Sequence, residues 1–316
     1  MNVIDVSNLS KTYKNGVTAL DNFNISVKES EIFTLLGENG AGKSTLIKIL
    51  TTFIKKDAGK VKILGYDLDY EYKDIRKNIA AVYQQASIDT HLTLKENMIF
   101  QSHLYNIPKK DAINIMYSLI DSFGLNEYID LPVNSYSGGV RRRLDIAMNM
   151  MSNPKILFLD EPTVGMDIKS RKSMWAMIKR IKDQYQTTIF LTTHYLEEAD
   201  NLSDRIMIMK DGKDIITDTP SNLKKVLKSK FVEVSFFNEE YAKENFELIQ
   251  KTYKNISIKN KTILIGGNFN HVNKFLIEND INFSGIKIYT PSIEDIFLNY
   301  TKEYKEDLNG NNIYAL

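Results

Sequence analysis

The run from Gly37 to Ser44, GENGAGKS, constrains this chain more than any other feature of its sequence. It fits the pattern G-x-x-x-x-G-K-[ST], in which a glycine-rich loop curls so that its backbone N–H groups point at phosphate oxygens. Residues 31–36 before the loop are mostly apolar and predict a buried strand, and residues 44–50 after it predict a helix. A helix that starts behind such a loop aims its positive dipole end at the same place. The sequence therefore predicts a strand–loop–helix unit that binds the phosphates of a nucleotide.

Positions within this loop have separate expected roles. Lys43 is expected to reach the β- and γ-phosphates, and the Ser44 hydroxyl is expected to bind Mg²⁺. The expected ligand is therefore ATP together with Mg²⁺. The predicted contacts to it in this segment are Gly37, Glu38, Asn39, Gly40, Ala41, Gly42, Lys43, Ser44 and Thr45.

Composition excludes several other classes of function. The net charge of +1 gives no electrostatic reason to expect a nucleic-acid partner. The absence of cysteine excludes disulfides and thiolate chemistry. We find neither a signal peptide at the start nor an apolar run near the roughly 18 residues that span a bilayer. Any role at a membrane is therefore expected to need a partner protein.

Hydrophobic patterns predict how the chain is organised. Residues 3–6 and 19–27 predict strands of an antiparallel edge sheet, and residues 87–136 have a helical pattern. Apolar runs at 156–159 and 188–191 are typical of a parallel sheet that is covered on both faces. These elements predict a nucleotide-binding domain over residues 1–222, with a helical subdomain at about 87–140.

A second domain is predicted over residues 230–316. Pro220 and the lysine-rich stretch 224–230 mark the boundary before it. The following segments predict the order β-α-β-β-α-β, with a hairpin around Asn260 and a closing helix at 293–300. This order is that of a small α+β, ferredoxin-like domain.

Two adjacent carboxylates follow the apolar strand at 156–159. Asp160 ends that strand, where a phosphate-loop enzyme holds its metal ion, and Glu161 follows directly. Adjacent side chains point in different directions off a strand end, so one can hold Mg²⁺ while the other polarises the attacking water. With the phosphate loop present, we favour this interpretation over a solvated acidic turn.

A second glycine-containing helix start lies at Ser137, Gly138 and Gly139. A serine and two glycines before a predicted helix form another anion-binding N-terminus. One nucleotide needs only one such cradle. The sequence therefore predicts that this loop serves the nucleotide of another subunit.

In this order the motifs resemble those of the ATP-binding subunit of ABC transporters, over about residues 3–217. In that family two subunits pair head to tail, with each ATP between the phosphate loop of one and the S-G-G signature of the other. The resemblance implies that Tyr13 stacks on adenine. It also implies that Gln84 contacts Mg²⁺ and the γ-phosphate, with Gln85 as the competing register.

The remaining family motifs complete the expected site. Asp167 matches the loop that crosses the dimer interface, and His194 matches the histidine that contacts the γ-phosphate. A lone histidine after a strand is usually a capping or core residue, but its position downstream of Glu161 favours the functional role. The resemblance implies Glu161, His194 and Gln84 as catalytic residues and Ser44, Gln84 and Asp160 as metal ligands. The implied fold class is an α/β P-loop NTPase with an antiparallel edge sheet and a helical subdomain, plus the small C-terminal domain.

Further segments resemble the daunorubicin-resistance type of ABC exporter ATPase. They include YSGGVRRRLD at 136–145, HYLEEA at 194–199 and PSIEDIFL at 291–298. We expect the arginines at 141–143 to lie on a solvated helix face, with a role in balancing phosphate charge as the alternative.

The resemblance also implies partners and a location. It implies a dimer with a second copy or a paralogous subunit, and a separate multi-span membrane permease. The chain itself is expected to bind peripherally at the cytoplasmic face of the cell membrane. One alternative is a non-transport ABC ATPase that acts on DNA, ribosomes or a soluble complex. Another is an importer subunit whose C-terminal domain senses a small ligand.

Overall fold

An antiparallel sheet is built from the first part of the chain. The elements in this part of the chain are β1 (Asn2–Thr12), β2 (Thr18–Lys28), β3 (Ile32–Gly37), α1 (Lys43–Leu50), β4 (Ala58–Ile63) and β5 (Tyr66–Asp67). Strand β3 belongs to the central sheet, and the other four strands form the antiparallel one. Strand β1 pairs antiparallel with both β2 and β4, which gives the order β2-β1-β4-β5. Apolar and polar residues alternate in β1 and β2, so that one face of the sheet is buried. This is the predicted edge sheet.

The structure is a computed structural model that describes residues 1–84, 87–228, 231–289 and 291–301. The elements that follow are α2 (Tyr72–Asn78), β6 (Ile79–Val82), α3 (Leu94–Leu104), α4 (Lys109–Ser122), α5 (Gly138–Met150), β7 (Ile156–Asp160), α6 (Ile168–Tyr185), β8 (Thr188–Thr193), α7 (Leu196–Leu202), β9 (Arg205–Lys210) and β10 (Lys213–Asp218).

The central sheet has the order β10-β9-β3-β8-β7-β6. Strands β3, β6, β7, β8 and β9 run parallel to one another, and every residue of β3, β7 and β8 is buried. In β7 the side chains alternate between two hydrophobic clusters. Leu157 and Leu159 join the cluster of helices α3 to α6, whereas Ile156 and Phe158 join the cluster under the edge sheet. Both faces of the parallel sheet are therefore covered, as the apolar runs predict.

The predicted helical region contains α3, α4 and the start of α5. Thr93 caps α3 through its hydroxyl, which accepts a hydrogen bond from the Glu96 backbone N–H, and the Glu96 carboxylate bonds back to the Thr93 N–H. Such a reciprocal capping box fixes where the helix begins. Leu119 and Ile120 of α4 are buried in the same cluster as Met98 of α3.

The last part of the chain forms a sheet of its own. Its elements are α8 (Pro220–Lys228), β11 (Phe231–Ser235), α9 (Glu239–Gln250), β12 (Ile256–Lys259), β13 (Thr262–Gly266), α10 (Phe269–Glu278), β14 (Gly285–Ile288) and α11 (Ile293–Thr301). The strand order is β12-β13-β11-β14, with every pairing antiparallel. The element order from β11 to β14 is the predicted ferredoxin-like one. Asn260 turns the hairpin with a φ of 53°.

The chain divides into two compact units, Met1–Thr217 and Asp218–Leu316. Helix α8, which covers most of the predicted boundary at 222–230, lies in the second unit. Within the described residues, no helix combines the length and apolar character needed to cross a membrane.

Candidate active site

The phosphate loop connects β3 to α1, and its glycines are required by close packing and by backbone conformation. A Cβ atom at Gly37 would lie 2.7 Å from the Met209 carbonyl oxygen. Gly42 has a φ of 108°, in the left-handed region, and a Cβ there would collide with the carbonyl oxygen of Ala19. Gly40 also has a positive φ, of 86°, with open space where a side chain would be. The loop therefore keeps its curled form because glycine alone fits these positions without strain.

Lys43 is the first residue of α1 and its side chain is buried, with 5% exposed. Its ammonium group donates hydrogen bonds to the carbonyl oxygens of Gly37 at 2.8 Å and Glu38 at 2.9 Å. It also lies 3.4 Å from Oε1 of Glu161. A buried cation is thus held at the mouth of the loop between backbone oxygens and one carboxylate.

The Glu161 carboxylate is the centre of this cluster. Its Oε2 accepts a hydrogen bond of 3.0 Å from the side-chain amide of Gln84, and its Oε1 lies 3.2 Å from Nδ1 of His194. With Lys43, this brings together four residues that the sequence assigned to the site. Glu161 has a φ of 47°, and its backbone N–H is held by both the carbonyl and the hydroxyl oxygen of Thr192.

Sheet order explains why these distant residues meet. The site residues follow the carboxyl ends of β3, β8, β7 and β6, which are consecutive neighbours in the central sheet. In open α/β sheets, ligands bind outside the carboxyl ends of the parallel strands. The same edge of the central sheet therefore holds four residues that are far apart in the sequence: Lys43, Gln84, Glu161 and His194.

Asp160 is the last residue of β7 and is buried, with 4% exposed. Its Oδ1 accepts a hydrogen bond of 2.6 Å from the Thr192 hydroxyl, which fixes the orientation of the carboxylate. Together with the Ser44 hydroxyl and the Gln84 amide oxygen, it offers oxygen atoms of the kind that Mg²⁺ prefers. The donor set fits this metal.

Tyr13 lies beside the phosphate loop. Its hydroxyl is 3.1 Å from the Thr45 hydroxyl, and 37% of the residue is exposed. The ring thus borders the start of α1 and remains accessible to a ligand. Gln85, the competing register for Gln84, lies outside the described residues.

The signature residues lie at the start of α5, apart from this cluster. Ser137 caps the helix by accepting a hydrogen bond from the Val140 backbone N–H, and a Cβ at Gly138 would meet open space. In the part of the chain that the structure describes, no hydrogen bond or ion pair joins Ser137 to Lys43 or Glu161. Gly139 lies close to Ser170, at the start of α6.

Asp167 likewise begins a helix, α6. Its carboxylate accepts hydrogen bonds from the Ser170 hydroxyl at 2.6 Å and the Ser170 N–H at 2.9 Å. These two bonds, the hydroxyl one first, lower the pKa of Asp167, which is therefore charged at neutral pH.

The expectation of a solvated arginine face is wrong for Arg142, which is 7% exposed. Its guanidinium donates to the carbonyl oxygens of Tyr83 and Asp160 and lies 3.5 Å from Oδ2 of Asp145. Burial lowers the pKa of Arg142 and raises the pKa of Asp145 to about 6. Arg142 and Asp145 lie at i and i+3 of one helix, but this spacing is also common on exposed helix faces and does not by itself reveal their burial.

Glu198 is a second buried residue that sequence reasoning missed. Its Oε1 accepts hydrogen bonds from the Thr163 hydroxyl at 2.7 Å and the Trp175 indole N–H at 3.0 Å. Burial raises the pKa of Glu198. The carboxyl group joins α7 to α6 and to the loop that contains Asp167, so it supports the region next to His194.

Fold and site together define a phosphate-loop nucleotide hydrolase, and comparisons with known proteins agree. The ABC transporter family model matches residues 20–164. The chain is 41% identical over 226 residues to the daunorubicin/doxorubicin resistance ATP-binding protein DrrA of Streptomyces peucetius, covering 72% of this chain and 68% of that protein. It is 39% identical over 230 residues to the doxorubicin resistance ATP-binding protein DrrA of Mycobacterium tuberculosis (strain ATCC 25618 / H37Rv), with 72% and 69% covered.

A solved structure extends this likeness to three dimensions. A dimeric ATP-binding cassette in a post-hydrolysis state, bound to ADP and Pi, superposes with a TM-score of 0.62 at 27% identity, covering 68% of this chain and 98% of that one. The chain therefore belongs to the ABC transporter family, as an ATP-binding and ATP-hydrolysing subunit of the daunorubicin-resistance type.

Proposed function

We propose that this chain powers an exporter, by closing as a dimer around two ATP molecules and driving a separate membrane permease. The observation that carries the proposal is the meeting of Lys43, Gln84 and His194 at the Glu161 carboxylate, all within 3.4 Å. A nucleotide γ-phosphate bound at this point has a cation, a hydrogen-bond donor and a base around it. The drug-resistance names of the relatives favour export over import.

The proposal gives a role to each residue of this cluster. Lys43 leaves the carbonyls of its own loop for the β- and γ-phosphates, and His194 and Gln84 turn from Glu161 to the γ-phosphate. Glu161 is then free to orient the attacking water and accept its proton. Phosphoryl transfer needs mainly positioning and charge stabilisation, which such a set of side chains supplies.

Ser44, Gln84 and Asp160 would hold Mg²⁺, since each offers an oxygen ligand. Bound there, the metal ion would supply positive charge against the phosphate oxygens of the nucleotide. Thr192 has a supporting role, because its hydroxyl already fixes one oxygen of Asp160. Tyr13 would stack on adenine, with its ring partly exposed next to the loop.

The second copy would contribute the other half of each site. The start of α5 contains Ser137, Gly138 and Gly139. Among the described residues, no hydrogen bond or ion pair joins it to Lys43 or Glu161 of its own chain. A helix start of this kind binds anions, so it suits the γ-phosphate held by a partner. That partner is a second copy or a paralogous subunit, with Asp167 at the contact between the two.

The helical region between Gln84 and Ser137 would transmit closure to the permease. Phe100 and Leu104 of α3 are 56% and 61% exposed, which provides an apolar surface for a partner. Gln84 at the base of this region would report the γ-phosphate to it. The complex would lie at the cytoplasmic face of the membrane, with the chain bound peripherally.

The experiment is to compare the ATPase activity of the wild-type chain with that of Glu161→Gln, and to purify the tagged variant from its native membranes. Removing the base while keeping the shape should lower hydrolysis by about 10²–10⁴-fold and leave ATP binding intact. A stoichiometric multi-span protein should co-purify. Glu197→Gln is the matched control, because Glu197 is exposed on α7.

Near-normal turnover in Glu161→Gln would overturn the role given to this residue. Recovery of the tagged chain from the soluble fraction alone, without a membrane protein, would favour a non-transport ATPase.

A further inference from the structure

The Arg142 side chain bonds to the backbone at the ends of two neighbouring strands of the active site, β6 and β7. One nitrogen of its guanidinium donates to the carbonyl oxygen of Tyr83, and the other donates to that of Asp160 at 2.9 Å. The first carbonyl belongs to the peptide that precedes Gln84, and the second belongs to the peptide that precedes Glu161. A single side chain therefore fixes the backbone of both residues whose side chains bond to each other at 3.0 Å.

The peptide between Asp160 and Glu161 is held on both sides. Its carbonyl accepts from Arg142, and its N–H donates to Thr192. Because Glu161 has a positive φ of 47°, an unfavourable conformation for a residue with a side chain, this peptide needs such support. The two contacts set the direction in which the Glu161 carboxylate leaves the end of β7.

Arginine is suited to this position for a physical reason. Its planar fork donates in two fixed directions, whereas a lysine ammonium acts as a point charge on a flexible stem. Asp145, one helical turn further along α5, is 2% exposed and places its Oδ2 3.5 Å from the guanidinium. The pair carries opposite charges in a buried setting, which offsets the cost of burying either one alone.

Helix α5 also carries the signature at its start. Ser137 caps the helix, and Arg142 lies further along the same helix with its side chain at the Gln84 and Glu161 peptides. Any displacement of α5 at its signature end is therefore transmitted by this guanidinium to the hydrolytic residues of the same chain.

We propose that Arg142, oriented by Asp145, is a positioning residue that couples the signature helix to Gln84 and Glu161 in its own subunit. The proposal rests on the proposed function, in which the signature contacts the ATP of a partner. Contact of Ser137 with the partner's γ-phosphate then sets the Gln84–Glu161 geometry in the chain that carries the signature. The two ATP sites of the dimer are in this way made to act together.

The same helix supplies a matched control. Arg143 also donates to two carbonyl oxygens, those of Phe123 and Gly124, both at 3.1 Å. These carbonyls follow α4, away from the hydrolytic residues. Arg142→Lys and Arg143→Lys therefore each remove a guanidinium that bonds to two backbone carbonyls, through two nitrogens in Arg142 and through one in Arg143. Only the first of the two lies next to Gln84 and Glu161.

The experiment measures kcat, the Hill coefficient for ATP and the affinity for a fluorescent ATP analogue in the wild-type chain and both variants. Misplacement of reacting groups by about 1 Å costs on the order of 10²-fold, so Arg142→Lys should lower kcat by about 10- to 100-fold. Its affinity for the analogue should stay at the wild-type value, since Lys43 and the phosphate loop are untouched. The Hill coefficient should fall towards one, and Arg143→Lys should retain wild-type kinetics.

Equal kcat in the two variants, or a loss of nucleotide affinity in place of kcat, would overturn the role of Arg142. Thermal unfolding of each variant separates this effect from lost stability.

Asp145→Asn is measured in parallel and decides the matter if Arg142→Lys does not fold, because it keeps the arginine and removes its orienting carboxylate. Reduced kcat at unchanged affinity supports the proposal, and wild-type kcat overturns it. A wild-type chain without ATPase activity would instead refute the proposed function itself.

Discussion

The Lys43 ammonium bonds to the Gly37 and Glu38 carbonyls and faces Glu161. In the proposed function a phosphate takes the place of the two carbonyl oxygens, because it brings negative charge to the ammonium whereas a carbonyl oxygen is neutral. The same contacts join the start of α1 to both sides of the loop and support its curled form. Lys43 therefore holds the shape of the loop, and the proposed function gives it a second role in binding phosphate.

We expect Lys43→Ala to weaken ATP binding by about 1.5–3 kcal/mol, the range for a hydrogen bond to a charged group. Titration with a fluorescent ATP analogue measures the change. Lys55→Ala is the control, because Lys55 is exposed after the turn that follows α1. Wild-type affinity in Lys43→Ala would count against the phosphate-loop assignment.

At the scale of elements, helix α5 is buried on most of its surface, and its charged residues depend on that burial. Asp145 has a folded-state pKa of about 6, above the ordinary value of 3.8, because burial disfavours its charged form. The folded state thus binds a proton that the unfolded state has released between these two pH values. The resulting contribution to stability is complete below pH 3.8 and is lost as pH rises through 6.

The free energy of unfolding of the wild-type chain, relative to Asp145→Asn, should therefore fall by about 1 kcal/mol between pH 5 and pH 7.5. Urea unfolding at several pH values measures this difference, and subtracting the variant cancels the carboxylates that titrate in the opposite sense. A difference that stays constant, or that rises with pH, would show that Asp145 is not buried as the structure has it.

The elements were largely predictable from the sequence where one physical rule dominates. Strand β3, the phosphate loop and α1 follow from glycine spacing and an apolar run, and the ferredoxin-like order of β11 to β14 follows from alternating patterns. Sheet order then brings Gln84, Glu161 and His194 together. No local pattern specifies that order, and it is the family resemblance that assigns Gln84 and His194 to the same site as Glu161.

Buried charge was the part that local patterns did not reveal. The arginines at 141–143 look alike in sequence, and a run of charges usually marks a solvated face. Arg142 is buried because two backbone carbonyls from distant strand ends and the Asp145 carboxylate meet it there. Glu198 is buried for the same kind of reason, with Thr163 and Trp175 as its partners. Such partners come from the tertiary structure, which the spacing along one helix does not encode.

At the scale of the whole molecule, the two units have separate hydrophobic cores. The residues of the active site lie in Met1–Thr217, which contains the two clusters on either side of the parallel sheet. The second unit has a cluster of its own, which includes Val232, Val234 and Phe236. Each unit is therefore expected to unfold with its own transition, since chains with several domains commonly depart from two-state behaviour.

Trp175 makes this expectation measurable, because it is the single tryptophan of the chain and it is buried in the first unit. ADP at about 100 times its Kd should stabilise the unit that binds it by about 2.7 kcal/mol. The melting temperature followed by Trp175 fluorescence should rise accordingly. Far-UV circular dichroism, which records both units, should show a second transition that ADP does not move.

Lys43→Ala is the control, in which the fluorescence transition should respond less to the same ADP concentration. If both transitions rise equally with ADP, the units unfold together, and nucleotide binding is linked to the C-terminal domain as well as to the ATPase domain.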